Sequence, residues 1–593
     1  MNLLSVTERK WVLKKYNSED ASFIKDNFFL DEITSKLLAI KKIKREDLKN
    51  FLNPSIKNIL PNPNTLKDMG KASKRIVNAV MLNQKIGIFG DYDVDGATST
   101  AILGNYFKKI NHIFEIYIPD RKTEGYGPSE KGFKVLIDKG VKLIITVDCG
   151  TLSFKPIDFA SKNNIDVLVL DHHQSDVKLP NAHSIVNPNR LDDNSNLNYL
   201  CAAGVCFMFL ISLNRELRNL NWFKQNKIPE PDLINFLDLV SLGTVCDVVP
   251  LIGLNRAIVK QGLKVFRSKK NLGLSTLLNI CKIETEPTAY DLGYLLGPRI
   301  NAGGRIGKCS QGAELLLEKN SKSAYQLASQ LDSQNKERQI LEKDLLNRIL
   351  NDVSDVSDPV LILSGKKWHE GIIGIIASRI KEKFNKPTII ISINEKKGKA
   401  SARSVIGYDI GAVIINAVQS GILVTGGGHK MAGGFSIEVN KINEFKEFAI
   451  RKFKTVNVNI SSEKKIYFDS VIAPSALNLD FYNKVNNLAP FGSGNSEPKF
   501  SIENVRLLNS KIVGERHIKS ILLGEDGSSI KTITFNATES NLGAYLLKRT
   551  KEKFNIVGKL SLNEWKGRRN VEFIIDDISV NKNHENTVPS SIG

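Results

Sequence analysis

Short apolar runs, each closed by polar or acidic residues, recur through the first half of the chain. Lys85-Ile-Gly-Ile-Phe-Gly90 leads into Asp91-Tyr-Asp-Val-Asp-Gly96, and Val141 to Val147 leads into Asp148-Cys-Gly150. Ile165 to Leu170 ends in Asp171-His-His173, and Ile116-Tyr-Ile-Pro119 ends in Asp120. Their brevity and β-branched content predict buried parallel strands. The spacing is about 25–30 residues, roughly one strand–helix–strand unit. Gly96 and the small residues after it predict a tight turn into a helix.

The pattern changes along the chain. Residues 1–70 read as a helical lead-in, with Pro54, Pro61 and Pro63 marking an irregular connection. The strand–helix alternation occupies 71–310. Within it Leu200 to Phe209 predicts a buried helix, and Ile234 to Asp247 is helix-like. Leu331, Ile340, Leu341, Leu345 and Ile349 recur at helical spacing among many charges, predicting a long two-faced connector over 311–356. A second α/β unit over 357–458 opens on the strand Val360–Leu363. From about Ile466 short strand-like runs predict a small barrel over 459–581, and the tail 582–593 reads as disordered. The fold class is therefore α/β: two α/β domains joined by a long helix, followed by a β-barrel.

Composition narrows the setting. Length alone, 593 residues, allows three or four domains. No uninterrupted apolar run of 18 residues occurs, and Met1 to Lys10 lacks a signal peptide's apolar core, so neither a membrane span nor export is expected. Six cysteines without Cys-x-x-Cys spacing read as reduced thiols of a cytoplasmic protein and argue against structural zinc. A net charge of +20 argues for a polyanionic partner. The chain is also rich in Lys and Asn, which a base-biased genome produces by itself, so charge carries little of the argument.

The chemistry lies at the strand ends. Three carboxylates in five residues, Asp91, Asp93 and Asp95, repel one another; either a divalent cation offsets that repulsion or the turn is a solvated acidic one. Asp148, His172 and His173 at the ends of other strands favour the cation, because ligands of a parallel sheet bind at that edge. Mixed carboxylate and imidazole donors suit Mn²⁺ or Mg²⁺. Two adjacent histidines in a loop can divide the work, one on metal and one on substrate. Arg121 follows Asp120 in a Gly-containing loop on the same edge, free to grip a phosphate or to pair with Glu124. Arg299, Asn301 and Arg305 stand among glycines that let a backbone approach a ligand, in a stretch that lacks the spacing of a Walker loop. Ser401, Arg403 and Ser404 form an anion cradle. His429, in Gly426-Gly-Gly-His-Lys-Met-Ala-Gly-Gly434, is either a phosphate contact or a structural histidine. Trp565, Lys566, Arg568 and Arg569 mix an aromatic with cations, as single-strand-binding barrels do and as ordinary hairpins also can.

In this order, Asp-x-Asp-x-Asp-Gly, Asp-x-Gly, Asp-His-His, Asp247 in Gly243-Thr-Val-Cys-Asp-Val-Val-Pro250, and the Gly426–Gly434 signature resemble the DHH phosphoesterase superfamily with its DHHA1 partner domain. The length and the β-rich C-terminal region resemble, within it, the RecJ family of single-strand-specific exonucleases, over roughly residues 50–580. That resemblance implies an OB-like C-terminal domain and two-metal hydrolysis of single-stranded DNA from the 5′ end to mononucleotides, in repair and recombination. It implies two Mn²⁺ or Mg²⁺ ions sharing Asp148, with Asp93, Asp95, His172 and Asp247 completing the site and Asp91 a ligand or a neighbour of one. It implies His173, Arg299, Asn301 and Arg305 at the reacting phosphate. Substrate contacts would come from Arg121, Ser401, Arg403, His429, Trp565 and Arg568, with Ser401 and Arg403 on the 5′ phosphate. A monomer is expected, assisted by a helicase and a single-strand-binding protein as candidate partners. The rival readings are a phosphodiesterase of cyclic dinucleotides or very short oligonucleotides, and a non-catalytic replisome scaffold.

Overall fold

The computed structural model describes residues 4–121, 123–352, 357–456, 464–548, 552–565 and 567–580. They form two compact units: 60–249 with 258–460, and 1–59 with 250–257 and 461–593.

The first unit begins with a parallel sheet of five strands: β1 (Ile86–Gly90), β2 (Phe114–Tyr117), β3 (Leu143–Val147), β4 (Asp166–Leu170) and β5 (Ser184–Val186). Their order is β2-β1-β3-β4-β5. β1 and β3 are buried at every position, which explains why they read as unbroken apolar runs rather than as alternation. The chain winds away from β1 in both directions, so the crevice beyond β1 and β3 is the switch point at which such sheets bind ligands. Helices α1 (Val94–Lys109), α2 (Ala202–Asn219) and α3 (Leu237–Cys246) are buried along most of their length. Small residues and Leu, Ile and Phe on all sides of α1 and α2 suit helices enclosed by other helices rather than lying on a surface.

The Gly-rich stretch around Arg299 is a helix, α4 (Gly297–Ile306), entered through a π-helical turn at Leu292–Leu296. Its glycines serve packing: a Cβ at Gly304 would lie 3.0 Å from the Tyr92 carbonyl oxygen, so α4 rests on the acidic loop. The connector α5 (Ser321–Asp352) runs 32 residues into the second α/β part. There β6 (Leu361–Lys366), β7 (Thr388–Asn394), β8 (Lys397–Arg403), β9 (Thr425–His429) and β10 (Ala432–Glu438) form a mixed sheet ordered β9-β10-β8-β7-β6. Helices α6 (Ile373–Phe384) and α7 (Ile410–Gln419) pack on it.

In the second unit five strands close on themselves. Phe500–Val513 pairs with His517–Leu523, which pairs with Ser529–Thr534. The last lies parallel to Arg568–Val580, whose partner Phe554–Trp565 returns to Phe500–Val513. That is an OB-like barrel. The lead-in expected as helical also contributes strands: Leu4–Ser5 pairs with Ser579–Val580, and Arg9–Leu13 lies parallel to Lys464–Phe468. Its helices Ser18–Phe28 and Glu32–Ile40 share the barrel's core through Ile24, Leu37 and Leu38. Lys566 and the tail from Lys582 lie outside the described residues, as does the side chain of Trp565.

Candidate active site

Three elements, α1, β3 and α3, deliver four acid groups to the switch point. Asp93 caps α1 by accepting the Gly96 N–H at 3.0 Å. Asp95, in the first turn of α1, accepts the N–H groups of Ala202 at 2.6 Å and Ala203 at 2.9 Å, at the start of α2. The positive end of α2 favours its ionised form, yet burial still pushes Asp95 upward. Asp148 follows β3 in a left-handed backbone at φ 60°. Asp247 is the residue that ends α3.

His172, in the loop after β4, is the hub. Its Nε2 lies 3.2 Å from Asp148, 3.6 Å from Asp247 and 3.8 Å from Asp95. Ligand atoms of Asp95, His172 and Asp247 fall within 4.8 Å of one another, and so do those of Asp91, Asp93 and Asp148. Asp148, His172 and His173 form a third such group, which shares a residue with each of the other two. One oxygen each of Asp91 and Asp148, and His172 Nε2, are buried without a hydrogen-bond partner. Buried polar atoms are seldom left so. Burial, then the neighbouring carboxylates, push Asp91 and Asp148 far above the usual range and Asp247 up to about 8. Leaving such charges uncompensated costs several kcal/mol apiece. Divalent cations would remove that cost, and this donor set, carboxylates with one imidazole, fits Mn²⁺ or Mg²⁺.

Asp171 has a separate task. One oxygen accepts the N–H groups of His172 and His173 at 2.7 and 3.2 Å and faces His173 Nδ1 at 2.8 Å; the other accepts the Thr151 N–H and hydroxyl. Burial opposes its charge, but these donors hold Asp171 well below the usual carboxylate range. Burial likewise opposes the charge on His173, yet Asp171 raises it to about 9. His173 is therefore a cation at neutral pH, 44% exposed, with the Tyr126 hydroxyl 3.2 Å from Nε2. The turn Asn187-Pro-Asn189 clamps this loop: Asn187 donates to the carbonyl of His173 and Asn189 to that of His172. Asp171 and Tyr126 carried no assigned role in the sequence reading. Asp171 stood inside the motif, and Tyr126 between two glycines was the only trace of the other.

A second cluster is basic. Arg305 donates to the Gly371 carbonyl at 3.1 Å, and burial, then Arg121, Arg338 and Arg403, lower it to about 10, still charged at neutral pH. Arg305, Arg379 and Arg403 share a cleft of about 260 Å³ with Gly374 at the start of α6 and with Ser378 and Glu382 further along it; Arg379 also pairs with Glu342 at 3.2 Å. Arg403 donates to Ser401 Oγ at 3.2 Å. A Cβ at Gly374 would lie 3.0 Å from Ser401 Oγ and 3.2 Å from the Arg403 guanidinium, so glycine keeps the cleft open. Three guanidinium groups and a helix N-terminus outnumber the one carboxylate of Glu382 there, a setting that suits an anion. His429 is exposed at the end of β9, and Ala432 lies between it and Arg403 in the sheet.

Arg121 is not paired with Glu124, which is taken by Tyr117, Ser129 and the Asp120 N–H. Its guanidinium lies over the Tyr92 ring at 5.5 Å, within the field of Arg305 and Arg403. Arg299 is directed elsewhere than expected: it donates to Asp332 of α5 and to the Leu295 carbonyl, each at 2.8 Å, tying α4 to the connector. Asn301 is half-buried on α4, and Arg568 is exposed on the barrel.

Comparisons with known proteins agree with this geometry. Family models match three stretches: the DHH family N-terminal domain over 85–244, the DHHA1 domain over 357–455 and the RecJ OB domain over 468–577. The single-stranded-DNA-specific exonuclease RecJ of Escherichia coli is 33% identical over 543 residues, covering 89% of this chain and 92% of that protein. That of Dickeya dadantii is 34% identical over 515 residues, covering 84% and 88%. The crystal structure of Thermus thermophilus RecJ in complex with Mn²⁺ superposes with a TM-score of 0.78 at 25% identity, over 96% of this chain and 80% of that one. At a third identity over most of both chains, and with all three domain types in order, this chain belongs to the RecJ family of single-stranded-DNA-specific exonucleases.

Proposed function

We propose that this protein is a metal-dependent exonuclease that hydrolyses single-stranded DNA from the 5′ end and releases 5′-mononucleotides, in repair and recombination. The observation that carries the reading is the pair of adjoining ligand groups holding three buried, unpartnered donor atoms on Asp91, Asp148 and His172. Asp91, Asp93 and Asp148 would hold one Mn²⁺ or Mg²⁺ ion; Asp95, His172 and Asp247 would hold a second, with Asp148 between them. Bound there, the ions supply an activated water and stabilise the leaving oxygen.

The chain's own residues do the rest. His173, cationic and aligned by Asp171, stabilises negative charge on the phosphoryl oxygens. Arg305 and Arg121 add fixed positive charge. Ser401 and Arg403 bind the terminal 5′ phosphate and so set polarity. His429 contacts the strand backbone. The OB-like barrel, with Arg568 exposed on it, binds single-stranded DNA. We take the domain limits as 1–70 for the lead-in, 71–310, a connector over 311–356, 357–458, 459–581 and a tail over 582–593. The enzyme acts as a monomer where its DNA lies, in the cytoplasm, with a helicase to expose 5′ ends and a single-strand-binding protein as assistants.

The test uses purified protein in Mn²⁺ and an internally labelled single strand bearing a 5′ phosphate, a 5′ hydroxyl or a blocked 5′ end. Mononucleotide release from open 5′ ends alone is expected, and Asp148→Ala is expected to abolish hydrolysis while retaining strand binding. Digestion from the 3′ end would reverse the assigned polarity, and turnover by Asp148→Ala would remove the metal assignment.

A further inference from the structure

We propose that Tyr290, Tyr294 and Val248 form a base-stacking track for the single strand beside the metal centre. This rests on the exonuclease reading above and adds a binding element to it.

The run that precedes α4 has unusual backbone. A short turn at Ala289–Asp291, closed by a capping box between Thr288 and Asp291, passes into the π-helical turn Leu292–Leu296. Such turns concentrate at functional sites because they are poorer in energy than α-helix and persist where geometry is needed. Leu292 and Leu296 are buried. Tyr290 and Tyr294 are 59% and 69% exposed, with ring centroids 4.7 Å apart and planes inclined by 24°. The two rings stack on one another yet leave most of their surface in water.

The ring pair rides on the residues that lead to Asp247. The Cys246 thiol reaches the Leu292 carbonyl at 3.4 Å, and a Cβ at Gly297 would lie 2.4 Å from Cys246 Sγ. On the far side of Asp247 stands Val248, 68% exposed and held at φ 61°. A β-branched residue in the left-handed region is strained, and exposure leaves this strain without burial to offset it. The π-helical turn that carries the tyrosines thus packs on the end of α3, where Asp247, a candidate metal ligand, and Val248 follow Cys246 in the chain.

Their chemistry selects the occupant. The charges of this run are already engaged, Asp291 with Thr288 and Arg299 with Asp332. What remains is flat aromatic surface and one aliphatic side chain, which bind nucleobases by stacking and without regard to sequence. A non-specific nuclease needs that next to its metal centre: a grip on bases that holds the phosphates between them in register.

The test compares wild type, Tyr290→Ala/Tyr294→Ala and Tyr290→Phe/Tyr294→Phe on a 5′-phosphorylated 20-mer and a trinucleotide. KM and kcat are read in Mn²⁺, and strand binding by fluorescence anisotropy in EDTA. Stacking of one base is worth about 1–3 kcal/mol, so the alanine pair should raise KM and Kd for the 20-mer about tenfold. Its kcat and its trinucleotide KM should hold, and the phenylalanine pair should bind like wild type. Unchanged 20-mer binding, an equal loss on the trinucleotide, or phenylalanine behaving like alanine would each overturn the track. A wild type that neither binds nor cleaves the 20-mer would overturn the exonuclease reading and the track together.

Discussion

Two adjacent histidines with the same side chain have opposite charge states here, and the cause is a few ångströms of environment. His172 is lowered by burial and faces the acid cluster as a neutral donor. His173 is raised to about 9 because Asp171 bonds its Nδ1. Asp171 is thus a positioning residue with an electrostatic effect. Replacing Asp171 by Asn removes the partner charge and returns His173 towards its ordinary 6.5. The alkaline limb of activity should therefore lie at lower pH in Asp171→Asn than in wild type, because the fold then loses the largest contribution that raises His173. A pH–rate profile of kcat/KM reads this directly, and an unshifted alkaline limb would mean that His173 does not act as a cation.

At the scale of elements, helix ends do work that individual residues cannot. The N-terminus of α2 holds both oxygens of Asp95, and the start of α6 faces Ser401 and Arg403 across Gly374. At Gly374 a methyl group would sit against both anchoring side chains. Gly374→Ala should therefore weaken the preference for a 5′-phosphorylated over a 5′-hydroxyl strand about tenfold, equivalent to roughly 1.4 kcal/mol for one charge-assisted contact, while chemistry at the metal centre persists. Competition between the two strand types measures it, and an intact preference would move the phosphate site elsewhere. The glycines between 426 and 434 divide the same way: Gly428 and Gly433 are forced by the close approach of β9 and β10, whereas Gly427 has open space above it.

For the whole molecule, the acid cluster sets how stability depends on pH and metal. An acid whose folded pKa lies above its unfolded value binds its proton more tightly in the fold. The fold is then favoured below the unfolded value and loses that advantage as pH rises through the folded one. For Asp247 the window runs from 3.8 to about 8, and Asp91 and Asp148 push in the same direction. Cations that hold these groups ionised reverse the trend, and a hundredfold excess over Kd adds about 2.7 kcal/mol. Metal-free protein should thus show a thermal midpoint that falls between pH 5 and pH 8, and Mn²⁺ should raise it by an increment that grows with pH. Parallel pH profiles with and without Mn²⁺ would refute a cation at this cluster.

The sequence by itself determined the strands of the first sheet, the acid and histidine positions at their ends, the connector helix and the order of domains. These are local properties: β-branched apolar runs, short-range spacing and periodicity survive without knowing what packs on what. It placed Arg403 and Ser401 together for the same reason, because two residues on one strand share a face. Only the tertiary structure decided the rest. Arg299, on a helix whose glycines gave no helical signal, pairs with Asp332, 33 positions away. Leu4–Ser5 finds its partner at Ser579–Val580, a pairing across the whole chain that no local pattern encodes. Asp171 and Asp148 look alike as strand-end acids, yet one is ringed by donors and the other is left with a bare buried oxygen. Charge state and role depend on what surrounds a group in space, and chain order records that only for near neighbours.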